Sequence, residues 1–155
     1  MKAKDLMTPN PTCCLPSDSV RQAARLMKEH DCGSLPVIET AGGMRLIGIV
    51  TDRDIAVRGL AEGNGVDTTV HDVMSSDPSF CRPDDDISDV ETVMAQRQVR
   101  RVPVVDDEGR CVGIISQADL ALGKKGVGNR EVGRVVEQIS EPASPSIRHA
   151  RRASR

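Results

Sequence analysis

The segment GIVTDRD, from Gly48 to Asp54, decides the organisation of the chain, because the similar segment GIISQAD recurs from Gly113 to Asp119. In each segment a glycine and two β-branched residues precede a hydroxyl residue, and an aspartate follows that residue three positions later. Short runs rich in Val and Ile predict β-strands, and Ser or Thr with an acidic residue three positions on predicts a capped helix N-terminus. Each segment therefore predicts a strand that leads directly into a helix.

The recurrence extends over most of the chain. With a shift of 67 positions, nine of the 35 residues from Asp5 to Glu39 meet an identical residue, where about two would be expected by chance. Past the next turn the shift falls to 65, and Gly48, Ile49, Asp54 and Ala56 again meet identical residues. A length change in a glycine-containing turn is one that a surface loop tolerates. The chain is therefore a tandem duplication.

Both copies predict the same order of elements. Apolar residues at helical spacing predict a helix over residues 20–27 and its counterpart over 87–94, and the run Asp84 to Asp86 suits the first turn of the latter. Apolar runs predict strands at 35–38, 46–50, 102–105 and 111–115. We expect an α/β (α+β) fold of two β-α-β-β-α repeats, with a first copy at 5–62, a linker at 63–71 and a second copy at 72–125.

The C-terminal segment, residues 126–155, departs from the repeat. Val132, Val135, Val136 and Ile139 lie at helical spacing and predict a short amphipathic helix whose apolar face needs a partner surface. The composition from Ser140 onward predicts a disordered basic tail. Helix and tail could dock on a partner or an anionic surface, although such charged tails are usually only solvated.

The composition excludes several classes of protein. The 155 residues carry a net charge of −2, and Phe80 is the only aromatic residue. A mildly acidic chain without aromatic platforms is a poor nucleic-acid binder, and no apolar run reaches the roughly 18 residues of a membrane span. The five cysteines include no C-x-x-C pair, and the first residues lack the apolar core of a signal peptide. We expect a cytoplasmic protein with reduced thiols that contacts neither membrane nor nucleic acid.

The sequence offers little for catalysis. The three histidines, His30, His71 and His149, are scattered, and none belongs to an H-x-x-x-H pair. An enzyme needs a nucleophile beside a base, or a metal with an open position. We therefore expect no enzyme activity.

The repeated hydroxyl and carboxylate residues admit two interpretations. Thr51 with Asp54 and Ser116 with Asp119 are explained by helix capping alone. Alternatively, the helix N-terminus accepts a phosphate, the hydroxyl donates to it, and the aspartate binds vicinal ribose hydroxyls. Two such segments at the same place in a repeat favour the second interpretation more than one segment would.

The chain resembles a tandem pair of cystathionine-β-synthase (CBS) domains, also called a Bateman module, from Asp5 to about Lys125. The matching motifs are DLMTP and DVMSS, LPVI and VPVV, and the two segments GIVTDRD and GIISQAD. The first copy also resembles small stand-alone bacterial CBS-pair proteins. The resemblance implies two repeats about a pseudo-twofold axis, with two clefts that commonly hold AMP, ADP, ATP or S-adenosylmethionine. It implies no required cofactor, and it implies a homodimer.

The resemblance also implies the residues of each cleft. One cleft would be formed by Ser116, Asp119, Thr12 and Cys13, with the backbone at Ser34 and Leu35. The other cleft would be formed by Thr51, Asp54, Phe80 and Cys81, with the backbone at Arg101 and Val102.

Two arginines distinguish the copies, because Arg100 and Arg101 in the second copy correspond to a glycine and Ser34 in the first. The resemblance implies a phosphate-binding cation at this place, so Arg101 and also Arg100 could neutralise a phosphate. A solvated surface pair explains them equally well. Lys124 and Lys125 are a weaker case, because charge at a helix C-terminus explains them too.

The sequence thus predicts a non-catalytic regulatory module that binds an adenosine nucleotide and signals to an unidentified effector protein. The alternative is a metal- or thiol-based stress sensor that uses Cys13, Cys14, Cys32 and Cys81, joined by His30 or His71. Small buried thiols that fill an aliphatic core explain the same cysteines.

Overall fold

The computed structural model describes residues 1–123, together with Gly133 and Gln138. In chain order the elements are α1 (Ala3–Leu6), β1 (Thr8–Pro9), α2 (Val20–Glu29), β2 (Ser34–Ile38), β3 (Leu46–Thr51), α3 (Asp52–Asp54), α4 (Val70–Val73), α5 (Ile87–Arg97), β4 (Arg101–Val105), β5 (Cys111–Ser116) and α6 (Gln117–Gly123). After α3 the chain continues through a π-helical turn, Ile55–Gly59, and a 3-10 turn, Leu60–Glu62. The predicted mixed fold of two repeats is confirmed. The apolar residues of the predicted amphipathic helix, the tail, and the pair Lys124 and Lys125 lie outside the described residues.

The two hairpins have the same register, which makes the duplication visible in three dimensions. Strands β2 and β3 are antiparallel, with Ser34 opposite Thr51. Strands β4 and β5 are also antiparallel, with Arg101 opposite Ser116. Since Ser34 and Arg101 are 67 positions apart, the repeat of the sequence holds at the level of individual residue pairs.

The first residues of the chain pack on the second repeat rather than on their own. The backbone N–H of Ala3 donates to the carbonyl oxygen of Asp85, and that of Lys4 donates to Pro83, both at 2.9 Å. Strand β1 then pairs with β5, with Pro9 opposite Gly113, so that the second sheet has the order β1-β5-β4. The segment from α1 to β1 thus completes the second repeat.

The corresponding segment of the second copy packs on the first repeat. The N–H of Val70 donates to Asp18 at 2.8 Å, and the N–H of His71 donates to Pro16 at 3.0 Å. Each of these four residues is 67 positions from its counterpart in the contacts of α1. The two repeats therefore exchange their opening segments, and neither core is complete without the other copy.

The glycines of the repeated segments allow this exchange. A Cβ atom added at Gly48 would lie 2.8 Å from the Sδ atom of Met74 and 2.9 Å from the carbonyl oxygen of Ser75. A Cβ atom at Gly113 would collide with the side chain of Met7. Each opening methionine crosses the hairpin of the other repeat at its glycine, where only a residue without a side chain leaves room.

Each repeat has its own aliphatic core, built mainly from Val, Met and Ile side chains. The first core contains Val20, Ala23, Leu35, Val37, Val50, Val70 and Val73, among others. The second contains Ala3, Ile87, Val90, Met94, Val102, Val104, Ile115 and Leu120, among others. Burial of each such side chain contributes roughly 1.5–3 kcal/mol for Val, Leu, Ile or Met. The exchange places Ala3 in the second core and Val70 in the first.

The aspartates before α5 lie outside the helix, contrary to their predicted place in its first turn. Asp86 is the N-cap residue of α5. Asp86 forms an ion pair with Lys2 at 3.0 Å, and Asp84 forms one with Lys4 at 2.6 Å. The acidic residues Asp84 and Asp86 therefore form ion pairs with lysines at the start of the chain, because the exchange places α1 beside them.

Candidate functional site

The two repeated hydroxyl–carboxylate pairs form capping boxes at the N-termini of α3 and α6. The N–H of Thr51 donates to Oδ2 of Asp54, and the N–H of Asp54 donates to Oγ1 of Thr51, both at 3.0 Å. In the second copy the N–H and the hydroxyl of Ser116 both donate to Oδ2 of Asp119 at 2.7 Å. The cap uses one carboxylate oxygen in each case, and a carboxylate has two. Capping and ligand binding are therefore compatible.

A larger cleft of ≈ 810 Å³ opens between the repeats beside α3. Its lining includes Thr51, Asp54, Arg100 and Arg101, all of which the sequence predicts as site residues. It also includes Ser34 and Ser116, which were assigned to the other cleft, and Asp52, Arg53, Ser75, Ser79 and Gln98. The volume falls within the range of about 300–1,000 Å³ that small-molecule sites occupy.

A smaller cleft of ≈ 320 Å³ lies beside α6. The structure brings together there four residues of the first predicted cleft, Thr12, Ser34, Ser116 and Asp119. Arg101 lines it as well, together with Thr8, Asn10, Pro11, His30 and Cys32. The two clefts thus meet at Ser34, Arg101 and Ser116, which line both.

Five predicted residues do not line either cleft. The side chains of Leu35 and Val102 are fully buried in the two cores, so only their backbone could contact a ligand. Cys81 is buried as well, and the half-buried Cys13 lies against Cys111. The Phe80 ring is 46% exposed and carries the guanidinium of Arg82 over its face, with 5.5 Å from Cζ to the ring centroid.

The larger cleft carries more positive groups than the sequence indicates. Arg53 lines it together with Arg100 and Arg101, and Asp52 and Asp54 line it as well. Arg53 is the third residue of the TDRD motif, and the repeat aligns it with Ala118, which also lines this cleft. Its position between Thr51 and Asp54, both predicted site residues, is the signal by which the sequence could have identified Arg53.

Ser34 provides an unmatched hydroxyl where the clefts meet. The residue is only 6% exposed, and its Oγ atom has no hydrogen-bond partner within residues 1–123. A buried polar atom without a partner costs free energy, on the order of 1–3 kcal/mol. A ligand that supplies an acceptor or donor at this point would remove that cost.

The remaining cysteines bear on the alternative of a metal or thiol sensor. Cys14 and Cys81 are buried in equivalent positions of the two cores, and burial raises the pKa of each thiol to about 12. In the part of the chain that the structure describes, no group of three or more His, Cys, Asp or Glu residues could hold a metal ion. The metal alternative therefore stays a prediction without a coordination site among the described residues.

Within the described residues, no helix is both long and apolar enough to span a membrane.

Comparison with known families identifies both repeats. The model of the CBS domain family matches residues 3–59 and residues 70–123. The unmatched residues 60–69 include the 3-10 turn and the connection to α4.

Three known proteins are similar over most of the chain. Hypoxic response protein 1 of Mycobacterium tuberculosis is 38% identical over 120 residues, which is 77% of this chain and 82% of the relative. The crystal structure described as that protein with two coordinated zinc ions has a TM-score of 0.72 and 36% identity, over 79% of this chain and 98% of the other.

The two other structures contain adenosine compounds. The CBS domain pair of protein MJ0100, in complex with 5-methylthioadenosine and S-adenosyl-L-methionine, is 29% identical with a TM-score of 0.72, over 79% of this chain and 98% of the other. CBSX2 in complex with AMP is 28% identical with a TM-score of 0.65, over 90% of this chain and 98% of the other.

Proposed function

The chain belongs to the CBS domain family, and from that premise we propose that it is a non-catalytic regulatory module that binds adenosine nucleotides in the clefts between its repeats. Similar proteins have been crystallised with AMP, S-adenosyl-L-methionine and 5-methylthioadenosine. These ligands share the adenosine group. Two clefts that each contain a capped helix N-terminus suit a ribose and a phosphate.

The position of Arg101 is the observation that carries this proposal. The residue lines both clefts, and it lies on β4 directly opposite Ser116, which caps α6. A guanidinium beside helix N-terminal N–H groups is a strong phosphate site, since both contribute charge-assisted hydrogen bonds. The Ser34 hydroxyl adds an unmatched polar atom at the same place.

The charges of the larger cleft favour a phosphorylated adenosine. Arg53, Arg100 and Arg101 line this cleft. The three guanidinium groups outnumber the two carboxylates of the cleft, Asp52 and Asp54, so the cleft attracts the phosphates of AMP, ADP or ATP more than the sulfonium cation of S-adenosylmethionine. The smaller cleft is lined by Arg101 and His30, so it suits a ligand with less negative charge.

In each cleft the capping aspartate would bind the ribose. Asp54 in the larger cleft and Asp119 in the smaller cleft use Oδ2 for the cap. Oδ1 of each carboxylate can accept hydrogen bonds from vicinal hydroxyls, as carboxylates do in dinucleotide sites. Adenine would then lie against aliphatic side chains and backbone, because Phe80 does not line either cleft.

Isothermal titration calorimetry with AMP, ATP and S-adenosylmethionine tests the proposal. We expect AMP or ATP to bind, and Asp119→Ala and Asp54→Ala to weaken binding in the smaller and larger cleft, respectively. Glu29→Ala removes an exposed carboxylate at the end of α2 and serves as the matched control with unchanged affinity. The proposal fails if the unmodified protein binds no adenosine compound at millimolar concentration.

The regulatory output belongs to the same proposal. We propose that two copies associate in the cytoplasm and that occupancy of the clefts shifts the relative position of the repeats, which an effector protein detects. We propose 5–62 and 72–125 as the limits of the two copies, with the residues just before each, Ala3 and Lys4 or Val70 and His71, beginning the exchanged opening segment. Light scattering on the purified chain, with and without AMP, measures the number of copies, and a monomer in both conditions would refute the dimer.

A further inference from the structure

A pair of cysteines that the nucleotide clefts do not use lies where the opening segment meets the second repeat. After Pro9 pairs with Gly113, the N–H of Asn10 donates to the carbonyl oxygen of Val112 at 3.2 Å. Strands β1 and β5 are antiparallel, so the segment that follows β1 passes the beginning of β5, where Cys111 lies. As a result the side chains of Cys13 and Cys111 contact each other across this pairing.

The adjacent cysteines Cys13 and Cys14 have opposite surroundings. Cys14 is buried in the core of the first repeat, with its thiol 3.9 Å from the carbonyl oxygen of Pro36. Cys13 faces the second repeat, and its thiol lies 3.3 Å from the carbonyl oxygen of Pro11. Of the two, only Cys13 can therefore pair with a thiol of the second repeat.

The two thiols of the pair differ in the way that a reactive and a resolving cysteine differ. Cys13 is half-buried, and its contact with the Cys111 side chain lowers the pKa of the Cys13 thiol. Cys111 is only 2% exposed, and its contact with Cys13, together with burial, raises the pKa of the Cys111 thiol. Cys13 is the more accessible thiol of the two, so an oxidant in solution reaches Cys13 first, with Cys111 beside it to form the second half of the disulfide.

We propose that Cys13 and Cys111 form a reversible disulfide that links the opening segment to β5 when the protein meets a peroxide. The Cys13 thiolate attacks one peroxide oxygen, and the O–O bond breaks to leave a sulfenic acid on Cys13 and a hydroxide ion, which takes up a proton. The sulfur of Cys111 then displaces the sulfenic hydroxyl, which leaves as water with the Cys111 proton. In total, two thiols and one hydrogen peroxide become one disulfide and two water molecules.

The disulfide would act on the smaller cleft. Pro11 and Thr12, which line this cleft, directly precede Cys13. A covalent bond from Cys13 to β5 restricts the movement of Pro11 and Thr12. The same bond links the exchanged opening segment covalently to the second repeat. This inference goes beyond nucleotide binding and stands whether or not the clefts take a nucleotide.

Peptide mapping of the full chain tests the proposal. The reduced protein is treated with one equivalent of hydrogen peroxide, alkylated and digested without reduction. We expect a cross-linked peptide pair that contains Cys13 and Cys111, with the loss of two hydrogen atoms, and its disappearance after treatment with a dithiol. The proposal is overturned by any of three other products: a disulfide between Cys13 and Cys14, oxidation of Cys32 alone, or oxidised Cys13 in molecules whose Cys111 is alkylated.

Two substitutions test the role of Cys111 and the selectivity for the pair of Cys13 and Cys111. In Cys111→Ala the sulfenic acid on Cys13 has no second thiol to react with. A cyclic 1,3-diketone probe, which reacts with sulfenic acids, should therefore label Cys13 strongly in this variant and only weakly in the unmodified protein. Cys32→Ala removes the other half-buried thiol and should leave the cross-link unchanged. Equal probe labelling of Cys13 with and without Cys111 would show that Cys111 does not react with the sulfenic acid. If Cys111→Ala fails to fold, the peptide map of the unmodified chain still shows whether the Cys13–Cys111 disulfide forms.

Discussion

The glycines at the crossings of the opening segments provide a quantitative test of the exchange. In Gly48→Ala the new Cβ atom would lie 2.8 Å from Met74 Sδ and 2.9 Å from the carbonyl oxygen of Ser75. That carbonyl group is held in place, because it accepts a hydrogen bond of 3.1 Å from the N–H of Ile49. Backbone atoms cannot move aside as a side-chain end can, so the strand contact must open.

The corresponding change in the second repeat meets a softer neighbour. In Gly113→Ala all three of the nearest atoms belong to the side chain of Met7. Met is flexible and can adopt another rotamer. We expect Gly48→Ala to cost about 2–3 kcal/mol and Gly113→Ala about 1 kcal/mol, which spans the usual range for overpacking.

Urea denaturation measures both costs. With an m-value of roughly 2 kcal/mol per M for a protein of this size, Gly48→Ala should lower the midpoint by more than about 1 M and Gly113→Ala by about half as much. Met7→Ala should relieve most of the Gly113→Ala clash, whereas Met74→Ala should relieve little of the Gly48→Ala clash. A midpoint for Gly48→Ala at or above that of Gly113→Ala would refute the reasoning.

Three further predictions follow from the site and the exchanged segment. Arg101→Ser, which places in the second copy the residue that the first copy has, should weaken AMP binding about 10- to 100-fold through loss of roughly 1.5–3 kcal/mol of charge-assisted hydrogen bonding. Adenosine affinity should stay unchanged in calorimetry, and an equal loss for adenosine would contradict a phosphate contact. The hydrogen bond from Lys4 lowers the pKa of Asp84 below its usual value, so the stability this pair contributes is present above about pH 4 and is lost as pH falls further. Urea midpoints of Lys4→Ala should therefore fall less on acidification than those of the unmodified chain, and parallel pH profiles would exclude the pair. Because burial raises the pKa of Cys81 to about 12, its thiol should resist alkylation near pH 8 until the protein is unfolded, and labelling as fast as at Cys32 would show that the core opens.

The capped helix starts could be predicted from the sequence because every group involved is local. Thr51 and Asp54, like Ser116 and Asp119, are three residues apart, and their hydrogen bonds depend on one turn of backbone. The hairpins were predictable for the same reason, since period and turn length set their register. The helix after Thr51 differs from the expectation of a regular helix, because it passes into a π-helical turn over Ile55–Gly59.

The membership of the clefts could be predicted only in part. The residues on helix N-termini and hairpin strands, such as Asp119, Ser34 and Arg101, line a cleft because the repeat places them at its edge. The residues before the first strand of each hairpin were harder to assign. Phe80 lies outside the clefts, with its ring against Arg82, because its direction depends on packing between segments distant in sequence.

The sequence by itself determined that the chain is a tandem duplication with a hydroxyl and a carboxylate at two equivalent helix starts, because these features depend on spacing over a few residues and on identity between copies. Only the tertiary structure decided that the copies exchange their opening segments, that Arg101 and Ser34 are shared by both clefts, and that Cys13 meets Cys111. The partners in these contacts are far apart in the chain, by 98 positions for the two cysteines. No local propensity encodes such a contact. It arises from the combined burial of Ala3 and Val70 in cores that belong to the other copy.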